Sequence, residues 1–236
     1  MPRHHDQFDS RSLAALRFVA QRGLLKGVVW SWTDVDIRGR SRLHGLSAPF
    51  IIVANHSSHL DAPLVMGAVP RRLGRYLATG AAADYFFDVK WRTMLTSLFF
   101  NAFPVDRGLG QRTRPGMSRQ LLERGVSLLI FPEGSRSRTG EMGEFKPGAA
   151  ALAISCDVPI VPVALSGADR AMPRGASWPA AGRKPITVEF GAPMRAEEGE
   201  SAEGFAGRLR DEISRMRAEI DAPDRQRGRQ RRGGRP

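Results

Sequence analysis

An imidazole and a carboxylate five positions apart, His56 and Asp61, stand in the segment Asn55-His56-Ser57-Ser58-His59-Leu60-Asp61. Inside one helix they would point about 140° apart and never meet. The apolar run Pro49-Phe50-Ile51-Ile52-Val53-Ala54 before them reads as a buried strand. Asp61-Ala62-Pro63 after them reads as a helix start, with Asp61 as the cap and Pro63 in the first turn. With His56 on the intervening loop, the chain can fold back and pair the two groups. A carboxylate on one ring nitrogen fixes the tautomer and leaves the other nitrogen to take a proton. Such a base suits an alcohol that attacks an activated carbonyl. The spacing also fits a plainer reading, in which Asp61 only caps its helix and His56 is a satisfied loop histidine. His59 competes as the base, but it lies two residues from Asp61 and on the wrong side of the loop.

Three further segments carry candidate groups. In Phe103-Pro104-Val105-Asp106-Arg107-Gly108, Arg107 offers a fork of donors suited to phosphate, or a surface ion pair with Asp106. In Phe131-Pro132-Glu133-Gly134-Ser135-Arg136-Ser137, Arg136 is a second such fork and Glu133 an acceptor for a hydroxyl. Gly134 there permits a tight turn or a close ligand. Lys146 adds a cation before the next helix, although all these charges also suit a solvated turn. Val158-Pro159-Ile160-Val161-Pro162-Val163 reads as a strand whose prolines mark an edge or a bulge, with packing as its main role.

The elements that must position these groups alternate between strand and helix. A helix is expected over 11–33, with Leu13, Leu16, Val19, Leu24, Val28 and Trp32 near one stripe. Its apolar face suits either a membrane interface or the domain core. Helices are expected over 115–124, 148–155 and 201–220, and strands over 127–131, 158–165 and 186–190. Residues 1–10 and the arginine-rich stretch from Asp224 are expected to be disordered. This order argues an α/β layered domain.

The 236 residues suit one domain with a real core. The formal net charge of +12 points to polyanionic partners: an anionic membrane face, phosphorylated substrates or nucleic acid. A single cysteine, Cys156, allows no intrachain disulfide and fits a reducing compartment. The N-terminus lacks the pattern of a secretory leader, and no run reaches the ~18 apolar residues of a spanning helix. A membrane, if met, would be met from its surface.

Taken in order, the four segments between His56 and Val163 resemble the glycerolipid acyltransferase family. That family carries His-x4-Asp, Phe-Pro-x-Asp-Arg, Phe-Pro-Glu-Gly-Thr-Arg-Ser and a Val-Pro-x-x-Pro strand; here Ser135 stands at the threonine position and keeps a hydroxyl. The resemblance implies an α/β single-domain acyltransferase fold, a mostly parallel or mixed sheet flanked by helices, with an N-terminal amphipathic helix. It implies His56 as the catalytic base, Asp61 as its orienting partner, and Arg107, Glu133, Gly134, Ser135, Arg136 and Lys146 as binders of the acceptor. The implied acceptor is a lysophospholipid, chiefly 1-acylglycerol-3-phosphate, and the implied donor is an acyl-CoA or acyl-carrier-protein thioester. No metal and no cofactor are implied.

The expected division is a membrane-interfacial arm over 1–45, an acyltransferase domain over 46–221 and a disordered tail over 222–236. The expected location is the cytoplasmic face of the cell membrane, in peripheral contact with anionic lipid. Nucleic acid is not expected as a partner. A serine hydrolase would want Gly-x-Ser-x-Gly and a nucleotide binder a phosphate loop, and neither is present. Other lysophospholipid or glycolipid acceptors stay open, as does a non-catalytic basic module binding membrane or nucleic acid.

Overall fold

The computed structural model describes residues 23, 26–82, 103–105, 116–137, 141–176 and 178–233. A short helix α1 (Lys26–Trp32) runs directly into strand β1 (Thr33–Arg38). The sequence Thr-Asp-Val-Asp-Ile-Arg alternates with a period of two and carries β-branched residues at every other place, which suits a half-covered edge strand. The expected helix over 11–33 therefore ends at Trp32, and its part before Lys26 lies outside the described residues apart from Gly23. The expected 1–45 arm also does not follow the sheet, since β1 is one of its strands.

After β2 (Ile51–Ala54) come α2 (Asp61–Ala68), the single turn α3 (Arg71–Gly74), β3 (Leu77–Ala82) and β4 (Phe103–Val105). Then follow α4 (Met117–Glu123), β5 (Ser127–Ile130), α5 (Gly148–Cys156), β6 (Ile160–Ser166), the turn α6 (Ala168–Ala171), β7 (Lys184–Phe190) and α7 (Ala202–Gly233). They build one seven-stranded sheet in the order β1-β7-β6-β2-β5-β3-β4. Only the β6–β7 pairing is antiparallel. The expected α/β fold with a mostly parallel sheet is the fold observed.

The alternation of side chains along β2 splits the core into two layers. Ile52 and Ala54 face α1 and α2, among Leu64, Val65 and Phe190. Ile51 and Val53 face α4, α5 and α7, among Leu121, Phe205 and Ile213. Both faces of the sheet are thus covered, as an all-apolar strand requires.

Two expectations are corrected here. The prolines of the 158–165 segment do not mark an edge, because β6 lies between β2 and β7. Pro162 is tolerated because its backbone faces the β7 side just where that ladder ends, its carbonyl accepting the Gly191 N–H at 2.8 Å while pairing with β7 begins at Val163. The backbone from 222 to Gly233 is helical and continues α7, against the expected disorder. Arginine and glutamine are good helix formers, and growth from an anchored helix needs no new nucleus.

Candidate active site

The carboxyl ends of β2 and β5, parallel neighbours with Val53 opposite Ile130, release the two loops that matter. Crevices beyond the carboxyl ends of such strands are the usual ligand sites of open α/β sheets. Asn55 anchors the first loop from below. Its amide nitrogen donates to the Leu165 carbonyl at 3.0 Å, and its oxygen accepts the Leu165 N–H at 2.8 Å. This two-way clamp joins β2 to β6 and fixes where the loop begins.

On that loop, His56 Nδ1 lies 2.9 Å from Asp61 Oδ2. The same oxygen accepts the N–H groups of Ser57 at 2.6 Å and Ser58 at 2.7 Å. Asp61 is the first residue of α2, and Leu60 holds the cap position. The expected capping role is therefore replaced by a grip on the loop before the helix. The Asp61 carboxylate is fully buried, and its Oδ1 has no hydrogen-bond partner among the described residues. Burial beside three donors makes it a fixed negative group aimed at the imidazole.

The imidazole itself is about one-fifth exposed and stacks on Phe131, with centroids 4.2 Å apart and planes 22° apart. Its Nε2 has no hydrogen-bond partner among the described residues and is the nitrogen able to meet a substrate proton. The second loop holds the first by its backbone. Glu133 Oε1 accepts the His56 N–H at 2.7 Å, and the Ser137 N–H reaches the His56 carbonyl at 2.9 Å. Glu133 Oε2 takes the Gly143 N–H at 3.1 Å. The carboxylate expected to receive a substrate hydroxyl thus braces the site with both oxygens.

Gly134 has φ +73°, and a Cβ there would meet Lys146 Nζ at 3.1 Å. The glycine is needed for the left-handed turn, and its bare face lets Lys146 cross the loop. Arg136 is half-buried, with one guanidinium nitrogen, Nη1, buried and unpartnered among the described residues. Such a donor is costly unless it meets an anion or a ligand. Its carbonyl accepts from Arg174 at 3.1 Å. Glu133, Ser135 and Arg136 also line an open cleft of about 390 Å³ with Ser137, Glu141 and Glu144. His59 remains neutral more readily than a free histidine, because partial burial and then the Arg136 charge lower its pKa. Arg107 lies outside the described residues.

The structure therefore brings His56 and Asp61, on the loop and helix start after β2, against the loop after β5 that carries Glu133, Gly134, Ser135 and Arg136, with Lys146 beside Gly134. A family model for acyltransferases matches residues 34–166.

The chain belongs to the acyltransferase family. The matched stretch begins in β1, ends in β6 and contains both loops. Relatives include a 1-acyl-sn-glycerol-3-phosphate acyltransferase of Limnanthes douglasii, 32% identical over 153 residues, 63% of this chain and 51% of that protein. The chloroplastic enzyme of the same name from Brassica napus, BAT2, is 28% identical over 62% of this chain and 41% of its own. The chain spans about half the length of these curated relatives. The crystal structure of PlsC, the 1-acyl-sn-glycerophosphate (LPA) acyltransferase from Thermotoga maritima, matches with a TM-score of 0.66 at 22% identity. It covers 90% of this chain and 79% of its own, and the likeness is one of fold.

Four residues of this acyltransferase site were not singled out by sequence reasoning. Asn55, Phe131, Gly143 and Ser58 act through contacts that spacing does not reveal: Asn55 reaches Leu165, Phe131 stacks on His56, Gly143 donates to Glu133, and Ser58 ties the loop to Met172 at 2.8 Å. Only Asn55 carried a signal, as a buried amide at the end of an apolar strand.

Proposed function

We propose that this chain transfers a fatty acyl group from an acyl thioester to the free hydroxyl of 1-acylglycerol-3-phosphate, forming phosphatidic acid. The observation that carries the reading is the 2.9 Å contact between His56 Nδ1 and the buried Asp61 carboxylate, with Nε2 left open. Nε2 takes the proton from the acceptor hydroxyl as its oxygen attacks the thioester carbonyl. The tetrahedral intermediate then collapses, the C–S bond breaks, and the imidazolium returns the proton to the departing thiolate. Asp61 stabilises the imidazolium between these steps. A thioester is already activated, so no acyl-enzyme is needed, and holding the two substrates in line supplies much of the rate.

Arg136 suits the acceptor phosphate, since its buried Nη1 lacks a partner among the described residues. Lys146 and Arg107 join it in this reading. The donor is carried by coenzyme A or acyl carrier protein, and no metal or cofactor enters the steps. A lipid acceptor also suits a protein that works peripherally at the cytoplasmic face of the cell membrane, which belongs to the same reading. Among the described residues, no helix is long and apolar enough to cross a membrane.

A second reading changes only the acceptor. Glu141, Glu144, Ser135 and Ser137 around the cleft favour a headgroup rich in hydroxyls, as on another lysophospholipid or a glycolipid.

The test is thiol release from acyl-CoA or acyl carrier protein with a panel of lysolipids. His56→Ala should lose about 10²–10⁴-fold in turnover while keeping its fold. Near-normal turnover in that variant would remove His56 from the base role. Preference for an acceptor without a phosphate monoester would favour the second reading.

A further inference from the structure

Two tryptophans far apart in sequence meet on the surface. Trp32 ends α1 and Trp178 lies on the connection from α6 to β7; their rings pack edge to face with centroids 5.6 Å apart. Both remain open to solvent, Trp178 at 60% and Trp32 at 38% exposure, and Val28, one turn before Trp32, is 43% exposed. The opposite side of α1 is engaged: Val29 is in the core, and Trp30 lies against Gly67 of α2. The outward aromatic face is therefore not leftover core surface.

The charge around it is mainly positive. Arg183 Nη2 reaches the carbonyls of Trp30 and Thr33, at the end of α1 that carries Trp32, at 3.4 and 3.3 Å. Lys184 stands opposite Thr33 in the β1–β7 ladder, while Asp34 is the acidic neighbour. Amphipathic rings beside lysine and arginine are the chemistry of the headgroup region of an anionic bilayer. The face is also coupled to the active site. The connection that carries Trp178 accepts Ser58 Oγ at the Met172 carbonyl and sends Arg174 to the Arg136 carbonyl.

We propose that Trp32, Trp178 and Val28, flanked by Arg183 and Lys184, form a docking face for an anionic phospholipid bilayer. The proposal sharpens the peripheral, lipid-directed reading above and rests on it. On docking, the rings enter the headgroup layer, and the 172–183 connection keeps the His56 and Arg136 loops beside the surface from which a lysolipid arrives.

The test is sedimentation of the full chain with vesicles of phosphatidylglycerol mixed with phosphatidylcholine, against phosphatidylcholine alone. The expected result is preference for the anionic vesicles, quenching of tryptophan emission by brominated lipid, and roughly tenfold weaker binding for Trp178→Ala and for Trp32→Ala. Arg183→Gln should reduce the salt-sensitive part of binding. Turnover of a short-chain, water-soluble acceptor should be unchanged in Trp178→Ala, and His56→Ala should bind vesicles like the parent chain. A failed catalytic assignment is thereby told apart from a failed docking face. Unaltered vesicle binding by both tryptophan variants would overturn the proposal. So would a dimer in solution that Trp178→Ala dissociates with no loss of vesicle binding, which would make this face a contact between copies.

Discussion

Glu133 holds His56 by its main chain: Oε1 accepts the His56 N–H at 2.7 Å, while Oε2 accepts the Gly143 N–H at 3.1 Å. Both oxygens act as acceptors, so the position of the imidazole depends on a residue that does not touch the ring. Glu133→Gln keeps the shape but turns one oxygen into a donor facing an N–H. Turnover is expected to fall by about 10²-fold through misplacement of the ring, with the circular dichroism spectrum unchanged. Initial rates of thiol release check this, and full activity in the variant would deny Glu133 the bracing role.

Asp61→Asn removes the charge from a carboxylate oxygen that receives three N–H or ring contacts. Its new nitrogen must either face those donors or fill the position where Oδ1 has no partner among the described residues. Turnover is expected to drop by roughly 10²–10⁴-fold, with a smaller effect on acceptor KM. Steady-state kinetics over a range of acceptor concentrations separate the two parameters.

Acid should weaken the fold partly through His59. Burial first, and then the Arg136 charge, lower its pKa in the folded chain. A free histidine titrates near 6.5, so the unfolded chain takes up the proton before the folded one does. The contribution is whole above about pH 6.5 and is lost as the pH falls through that value toward the lower folded pKa. Melting temperatures of the parent and His59→Gln across pH 7.5 to 5 should show a shallower decline in the variant. An identical decline would show that His59 plays no part.

Gly67 lies where a Cβ would come within 2.6 and 2.8 Å of the Trp30 ring. The Trp30 ring must shift to admit that carbon, and with it the packing of α1 on α2. Gly67→Ala is expected to destabilise the protein by roughly 1–3 kcal/mol, the scale of overpacking in a core. Urea unfolding measures the loss, and an unchanged midpoint would mean that α1 is free to shift.

The parts of the site that could be read from the sequence are those made by neighbours along the chain. His56 and Asp61 are joined by one loop and one helix start, so their pairing followed from local rules. Glu133 and His56 are 77 positions apart, and their contact depends on β2 lying beside β5 in register. No local pattern encodes that register. Strand β3 was missed because Leu-Ala-Thr-Gly-Ala-Ala is poor in β-branched residues, yet Leu77–Thr79 pairs in parallel with β5. Strand β1 is not legible as such: the expected helix takes in its first residue, since Thr33 follows Trp32 without a glycine or proline between them, and the six residues Thr33–Arg38 include two aspartates, which are rare in strands. The continuous helix through 222–233 was hidden by composition, because arginine-rich stretches read as solvated chain when nothing shows the helix they extend.

The double link between the two loops, His56 N–H to Glu133 and Ser137 N–H to the His56 carbonyl, turns the distance between β5 and its turn into a gauge for the imidazole. Loops that hang free accept an extra residue cheaply. Here the spacer Phe131-Pro132 must keep its length, because one residue more or less would push Glu133 out of phase with β2. An insertion at that spacer should silence the enzyme as thoroughly as deleting the ring itself, although every reactive group would still be present.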